Sequence, residues 1–97
     1  MNHLDLYFLP DSESVDLPLD KLEPSRRRPT GVLHAAERME AAAKGEYSRR
    51  APISVTPIGD GRFRIVDGNS TYAVAMEWGW STIRCRIVVE GSSGSER

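Results

Sequence analysis

The chain has 97 residues, of which 39% are hydrophobic and 28% are charged. It is long enough for one globular domain and too short for two. A formal net charge of -1 excludes attraction to nucleic acid by the overall field and leaves only a local patch as a polyanion site. A single cysteine, Cys85, excludes both an intrachain disulfide and a thiolate zinc site built from this chain alone.

Apolar side chains alternate twice in the first part of the chain, at Leu4, Leu6 and Phe8 and again at Val15, Leu17 and Leu19. The first set predicts a short strand or a docked arm within residues 1–14. The second set spans Pro18, and because proline donates no ladder hydrogen bond we expect an edge strand or an extended segment there. Residues 23–30 are expected to be irregular.

Two helices are predicted. The first covers about residues 31–44, with Thr30 as N-cap and Gly45 just beyond its end. Its core-facing positions follow helical spacing and are Leu33, Ala36, Met39 (or Glu40) and Ala43. The second runs from Asn69 or Ser70 to Trp78 and is stopped by Gly79. Its core-facing positions are Tyr72, Ala75, Met76 and, as an option, Ala73.

Three further strands are predicted. Residues 51–58 place Ile53 and Val55 on one face, Gly59-Asp60-Gly61 marks a hairpin, and the returning strand ends at Asp67. The last strand, residues 82–89, places four apolar side chains on one face: Ile83, Cys85, Ile87 and Val89. We expect an α+β domain over residues 15–90, with a small mixed sheet and two main helices mainly on one side, and a disordered Gly/Ser tail at residues 91–97.

The most informative segment is Asp67-Gly68-Asn69-Ser70-Thr71, where a strand runs into a glycine and then directly into a helix. The first turn of a helix has N–H groups without internal partners and the positive end of the helix dipole, so a phosphate binds there readily. Gly68 would let the ligand approach closely, and the next three residues add short polar side chains. Alternatively, Asn69 or Ser70 caps the helix and Gly68 only makes the corner.

Two other features bear on this site. Asp67 could hold a magnesium ion beside bound phosphates, or it could make an Asx-type turn. Arginines at 26–28, together with Arg49 and Arg50, could form a basic patch for phosphates or could be solvated and balanced by nearby carboxylates.

Five stretches resemble the ParB/sulfiredoxin-like domain family in their order and spacing: residues 15–24, 51–55, 64–68, 72–75 and 79–83. The resemblance covers about residues 15–89 and implies the fold of that family. ParB members bind and hydrolyse CTP and act in DNA partition, sulfiredoxin binds ATP and repairs an oxidised cysteine, and other relatives are nucleases, ATPases or small-molecule kinases. The resemblance therefore implies a nucleotide site without selecting one activity.

The segment after Gly68 departs from both family patterns. ParB typically has Glu-Arg-Arg there, and its arginines hold nucleotide phosphates, whereas this chain has Asn69, Ser70 and Thr71. Sulfiredoxin has its catalytic cysteine at the position of Asn69. Neither ParB-like CTP switching nor sulfiredoxin chemistry is therefore expected. Cys85 lies mid-strand on an apolar face and is interpreted as a buried small hydrophobe.

Three functional hypotheses follow, and the sequence leaves open whether the chain is an enzyme. The first is a cytoplasmic module that binds a nucleotide or other phosphate-bearing ligand at Gly68, Asn69, Ser70 and Thr71. Arg27 and Arg28 would help to bind the phosphates. The ligand would be a nucleoside triphosphate with magnesium at Asp67, and weak nucleotidase activity is an option. The second is a non-catalytic interaction or regulatory module of a plasmid, phage or toxin-type system. The third is a ParB-like DNA nuclease. No membrane association is expected, because no apolar run approaches the roughly 20 residues of a membrane span.

Overall fold

A computed structural model describes residues 2–26 and 29–89. Arg27, Arg28 and the tail at residues 91–97, which were assigned roles above, lie outside the described residues. Five strands form one sheet: β1 (Ser14–Pro18), β2 (Leu22–Glu23), β3 (Ile53–Gly59), β4 (Arg62–Asp67) and β5 (Thr82–Ile87). Two helices, α1 (Val32–Ala43) and α2 (Asn69–Glu77), and two short 3-10 helices, His3–Leu6 and Leu19–Lys21, complete the described elements.

The sheet is mixed, with the strand order β1-β5-β3-β4-β2. β1 pairs antiparallel with β5, and β3 pairs antiparallel with β4, while β3/β5 and β2/β4 are parallel. α2 contacts β3 and α1 packs on α2. This arrangement confirms the predicted α+β fold. β1 lies at an edge of the sheet and ends at Pro18, as the proline predicts.

The β3–β4 hairpin forms where the sequence predicts it. Asp60 and Gly61 make the two-residue loop, with φ angles of 57° and 73°. Two successive positive φ angles are typical of the turn whose twist matches that of the flanking strands. The hairpin brings β4 back along β3, and the far end of β4 leads into Gly68 and α2.

Both helices end as predicted, and α2 begins at Asn69 as predicted, but the N-terminal capping differs from the predictions. Past α1, the N–H of Gly45 donates to the carbonyl of Ala42 (3.0 Å) and the N–H of Glu46 to that of Ala41 (2.8 Å). The same pair of bonds follows α2 at Gly79 and Trp80. The N-cap of α1 is Gly31, not Thr30, and neither helix has a side-chain cap at its N-terminus.

The buried faces of the helices match the predicted ones only in part, at Met39 and Ala75. α1 buries Ala35, Met39 and Ala42, whereas Leu33 is 70% exposed. α2 buries Val74 and Ala75, whereas Met76 is 54% exposed. The reason is that α1 packs on α2 through Ala35, Met39 and Val74, and alanine lets two helices approach closely. Helical spacing alone predicts how often a buried residue recurs along the helix. Which side of the helix is buried depends on these contacts.

At both ends of the described chain, the structure differs from the predicted strands. The alternation of Leu4, Leu6 and Phe8 corresponds to a 3-10 helix and one isolated bridge from Phe8 to Arg50, not to a strand. Leu4 and Phe8 are buried in the main core. β5 stops at Ile87, and Ile87 and Val89 are exposed, so only Ile83 and Cys85 of the predicted apolar face are in the core. No helix within residues 2–26 and 29–89 is both long and apolar enough to cross a membrane.

Candidate functional site: a cleft at the N-terminus of α2

Gly68 forms the corner between β4 and α2. Its φ of 108° lies in the region that glycine adopts most readily. A Cβ added there would lie 2.5 Å from Cγ2 of Ile53, which is far inside van der Waals contact. The space that the missing side chain leaves is therefore filled by β3. The core, and not only the approach of a ligand, requires glycine at this corner.

The first turn of α2 leaves three backbone amides open. The N–H groups of Asn69, Ser70 and Thr71 make no hydrogen bond to any residue that the structure describes, and the first bonded amide is Tyr72, which donates to the carbonyl of Gly68 (3.0 Å). These amides coincide with the positive end of the helix dipole. An anion placed beside them would accept up to three hydrogen bonds.

The side chains of Asn69 and Ser70 do not cap α2, so the alternative interpretation of these residues as caps is wrong. Asn69 is 8% exposed, its Oδ1 accepts from the N–H of Ser25 (3.0 Å), and its Nδ2 donates to Ser25 Oγ (2.9 Å). The hydroxyl of Ser70 donates to the carbonyl of Thr30. Both side chains thus bind the loop that precedes α1.

Thr71 behaves differently from its two neighbours. The residue is 3% exposed, but its hydroxyl is not a buried orphan, since no buried side-chain polar atom among the described residues lacks a hydrogen-bond partner. It lines two adjoining clefts at the start of α2. Because Thr71 lines both clefts, its hydroxyl can donate to a ligand that occupies either of them.

The first cleft has a volume of about 250 Å³ and is lined by residues 66–71 together with Arg26, Pro29, Thr30 and Arg50. Two parts of the predicted basic patch, Arg26 and Arg50, thus reach one cleft although they are far apart in sequence. Within residues 2–26 and 29–89, neither side chain has a hydrogen-bond or ion-pair partner. Arg86, by contrast, pairs with Glu13 at 2.7 Å.

The second cleft has a volume of about 340 Å³ and shares four residues with the first: Arg50, Asp67, Gly68 and Thr71. Its other lining residues are Arg38 on α1, Ile53 at the start of β3, and residues of the segment between these elements, such as Tyr47 and Pro52. Asp67 is the one carboxylate among the described residues of both clefts. The two clefts therefore share one arginine, Arg50, and one acid, Asp67, and each cleft has at least one further arginine, Arg26 in the first and Arg38 and Arg49 in the second.

Two other sequence hypotheses concern chemistry at this fold. Within the described part of the chain, no group of three or more His, Cys, Asp or Glu side chains could hold a metal ion, so Asp67 would need ligand oxygens to complete a magnesium site. Cys85 is fully buried, and burial raises the pKa of its thiol to about 12. It stays protonated near neutral pH and is not a nucleophile.

Sequence reasoning missed Ser25 and Thr30. Ser25 is 44 residues from Asn69 and Thr30 is 40 residues from Ser70, and no local pattern indicates such contacts. Arg49, predicted in the basic patch, lines the second cleft, and its Nη1 also donates to the carbonyl of Asp5 (2.9 Å).

Comparison with known proteins gives structural neighbours only. No family model matches the sequence, and no curated protein matches it. A free serine kinase in complex with AMP has a TM-score of 0.65 and 23% identity, over 82% of this chain and 32% of that chain. This chain thus spans about a third of the length of that kinase.

Two further solved structures match over most of this chain. Sulfiredoxin from Arabidopsis thaliana has a TM-score of 0.56 and 26% identity, over 78% of this chain and 84% of that chain. The C-terminally truncated chromosome-partitioning protein ParB from Caulobacter crescentus, complexed with CTP-gamma-S, has a TM-score of 0.55 and 21% identity, over 82% of this chain and 46% of that chain. The chain therefore has the ParB/sulfiredoxin-like fold, as its sequence predicts.

Proposed function

We propose that this domain binds a nucleotide or another phosphate-bearing ligand, with the phosphates at the N-terminus of α2. The observation that carries the proposal is the coincidence of three open amides with the Thr71 hydroxyl at the cleft and two arginines without partners among the described residues, Arg26 and Arg50. Each of these groups donates hydrogen bonds, and the two guanidinium groups match the geometry of phosphate. Two of the structural neighbours are complexes with AMP and with CTP-gamma-S, which supports the choice of a nucleotide.

Asp67 is the residue through which metal or hydrolytic chemistry would act. As the carboxylate of both clefts, it would contribute one oxygen to a magnesium ion that the phosphates of the ligand also bind. Weak nucleotidase activity would depend on the same side chain. Contacts of Arg27 and Arg28 with the phosphates remain predictions of the sequence.

A second candidate function is a non-catalytic interaction module, and exposed apolar side chains favour it. Leu33 on α1 and Met76 on α2 are mostly exposed, although apolar residues at these helical positions usually face a core. Co-purification of a stoichiometric protein partner without nucleotide would favour this candidate over the first. Nothing among the described residues adds support for a DNA nuclease.

The direct test is a thermal-shift screen with inorganic phosphate, AMP, ADP, ATP and CTP, with and without magnesium, followed by titration calorimetry. A ligand at 100 times its dissociation constant stabilises the folded state by about 2.7 kcal/mol, which raises the melting temperature measurably. If none of these ligands shifts melting at millimolar concentration, the proposed function is wrong.

The placement of the site has its own test in Arg50→Ala. A hydrogen bond to a charged group contributes about 1.5–3 kcal/mol, so we expect the dissociation constant to rise by about 10- to 100-fold. Arg86→Ala is the matched control, because it removes the same charge from an exposed pair at the sheet edge. If calorimetry gives Arg50→Ala the same affinity as the unmodified protein, the ligand does not bind in this cleft.

A further inference from the structure

We infer that Asn69 and Ser70 are positioning residues, which hold Ser25 and Thr30, the two described ends of the arginine-bearing loop, beside the first cleft and leave the ligand to the backbone amides and to Thr71. The inference rests on the proposed function, since it assigns roles within the same site. It reverses the simplest interpretation of the sequence, in which the polar side chains after Gly68 would contact the phosphate themselves.

Asn69 holds the beginning of the loop. Its amide group makes two hydrogen bonds to one residue, Ser25, accepting from the backbone N–H and donating to the hydroxyl. Two bonds to different atoms of one residue fix both the position and the orientation of that residue. Arg26, the next residue, lines the first cleft. Its backbone is therefore fixed relative to the first turn of α2, where the open amides lie.

Ser70 holds the end of the same loop. Its hydroxyl donates to the carbonyl of Thr30, which lines the cleft together with Pro29. The next residue, Gly31, begins α1, and a Cβ there would lie 3.8 Å from Ser70 Oγ. The loop thus enters and leaves beside the first turn of α2.

Hydrogen-bond stoichiometry supports this division of roles. A serine hydroxyl has one proton, and that of Ser70 is already donated to Thr30, so only lone pairs remain to meet a phosphate oxygen. One donor of Asn69 is likewise used, and its side chain is almost fully buried. The amides of residues 69–71 have no such commitments among the described residues, and Thr71 lines the cleft.

The test is a double-mutant cycle in the affinity for ATP, measured by calorimetry. Asn69→Ala releases Ser25, so we expect the affinity to fall about tenfold. We also expect Arg26→Ala to weaken binding in the unmodified protein and to have little further effect in Asn69→Ala. The effect of Arg50→Ala, a residue outside the loop, is expected to add to that of Asn69→Ala. If Asn69 had a merely structural role, its substitution would not remove the effect of Arg26→Ala while leaving that of Arg50→Ala unchanged.

Matched controls use the same chemical changes elsewhere. Asn2→Ala removes the other asparagine, whose side chain also makes two hydrogen bonds, and Ser14→Ala removes a hydroxyl that donates to a backbone carbonyl, as that of Ser70 does. We expect neither to change the affinity. Ser70→Ala should weaken binding and Ser70→Thr should restore it. Ser25 is exposed, so Ser25→Ala tests the pair without altering α2 and should give a smaller loss than Asn69→Ala.

The outcomes separate this inference from the proposed function. If the unmodified protein binds none of the phosphate ligands, both fail. If it binds ATP but the effects of Asn69→Ala and Arg26→Ala are simply additive, the positioning role is wrong and the phosphate site stands. Hydrogen exchange adds a readout without ligand: the Ser25 amide should be protected in the unmodified protein and should lose protection in Asn69→Ala. Equal protection in both would also overturn the role.

Discussion

At the scale of single residues, Gly68 carries two constraints at once. The backbone has a φ of 108°, and the space of a Cβ is occupied by Ile53. Gly79, just past α2, has a similar left-handed conformation with φ of 75°, but nothing lies within 4 Å of its missing Cβ. The two glycines therefore separate the cost of the backbone conformation from the cost of the steric contact.

We expect Gly68→Ala to destabilise the protein more than Gly79→Ala does. Both variants should lose about 1–2 kcal/mol of the free energy of unfolding to the left-handed conformation. Gly68→Ala should lower the free energy of unfolding by a further amount of about 1–3 kcal/mol, because β3 must shift to admit the methyl group. Urea unfolding of the two variants measures the difference, and equal losses would show that β3 accommodates the methyl group freely.

At the scale of elements, the features fixed by near neighbours in sequence could be predicted. The Asp60–Gly61 turn and the glycines after both helices depend on a few adjacent residues, and all three are where the sequence places them. The buried face of α1 could not be predicted, because it depends on which side α2 covers. Ala35 is buried there and Leu33 is not, although leucine is the more hydrophobic of the two.

In the candidate site, too, local features could be predicted from the sequence and long-range contacts could not. That a strand ends at Gly68 and a helix begins at once is a local property, so the location of the open amides follows from the sequence. That Asn69 bonds Ser25 rather than capping α2 is a contact across 44 residues, and it depends on the path of the whole loop. The sequence shows that basic residues are available near positions 26 and 50. It does not show that Arg26 and Arg50 line the same cleft, because that depends on the folded structure.

Electrostatic contacts connect the first 3-10 helix to the sheet edge. Arg84 on β5 donates to Asp5 (2.6 Å) and to Asp16 on β1 (2.9 Å). The hydrogen bond from Arg84 holds the pKa of Asp5 below its usual value of 3.8. Because the pKa is lower in the folded state, this contact stabilises the protein above about pH 4, and the stabilisation is lost as the pH falls through the lowered pKa.

We therefore expect Asp5→Asn to flatten the dependence of stability on pH at the acid end. The free energy of unfolding should fall less steeply between about pH 5 and pH 2 than in the unmodified protein, since one carboxylate no longer takes up a proton on unfolding. Urea unfolding at a series of pH values measures this. Asp60→Asn, the same change at the hairpin tip, is the control, and an unchanged slope in Asp5→Asn would mean that the pair with Arg84 contributes nothing.

At the scale of the whole molecule, one architecture is present in neighbours of different length. The chain covers 84% of the sulfiredoxin structure and 32% of that of the free serine kinase. The fold supplies the corner at Gly68 and the start of α2, and the residues placed on it determine the chemistry. In this chain residues 68–71 are uncharged, Asp67 precedes them, and positive charge comes from Arg26 and Arg50 outside the turn.

The N-terminal residues are part of the same core, and this leads to the last prediction. Leu4 is 0% exposed and packs in the main cluster, whereas Leu6, two residues on, is 47% exposed. Truncation of a buried leucine costs about 2–5 kcal/mol, a large part of the roughly 5–15 kcal/mol by which such a domain is stable. We expect Leu4→Ala to lower the urea midpoint strongly and Leu6→Ala to change the free energy of unfolding by less than about 1 kcal/mol. Equal midpoints would mean that the first residues can leave the core without loss, and that the fold is already complete from β1 onward.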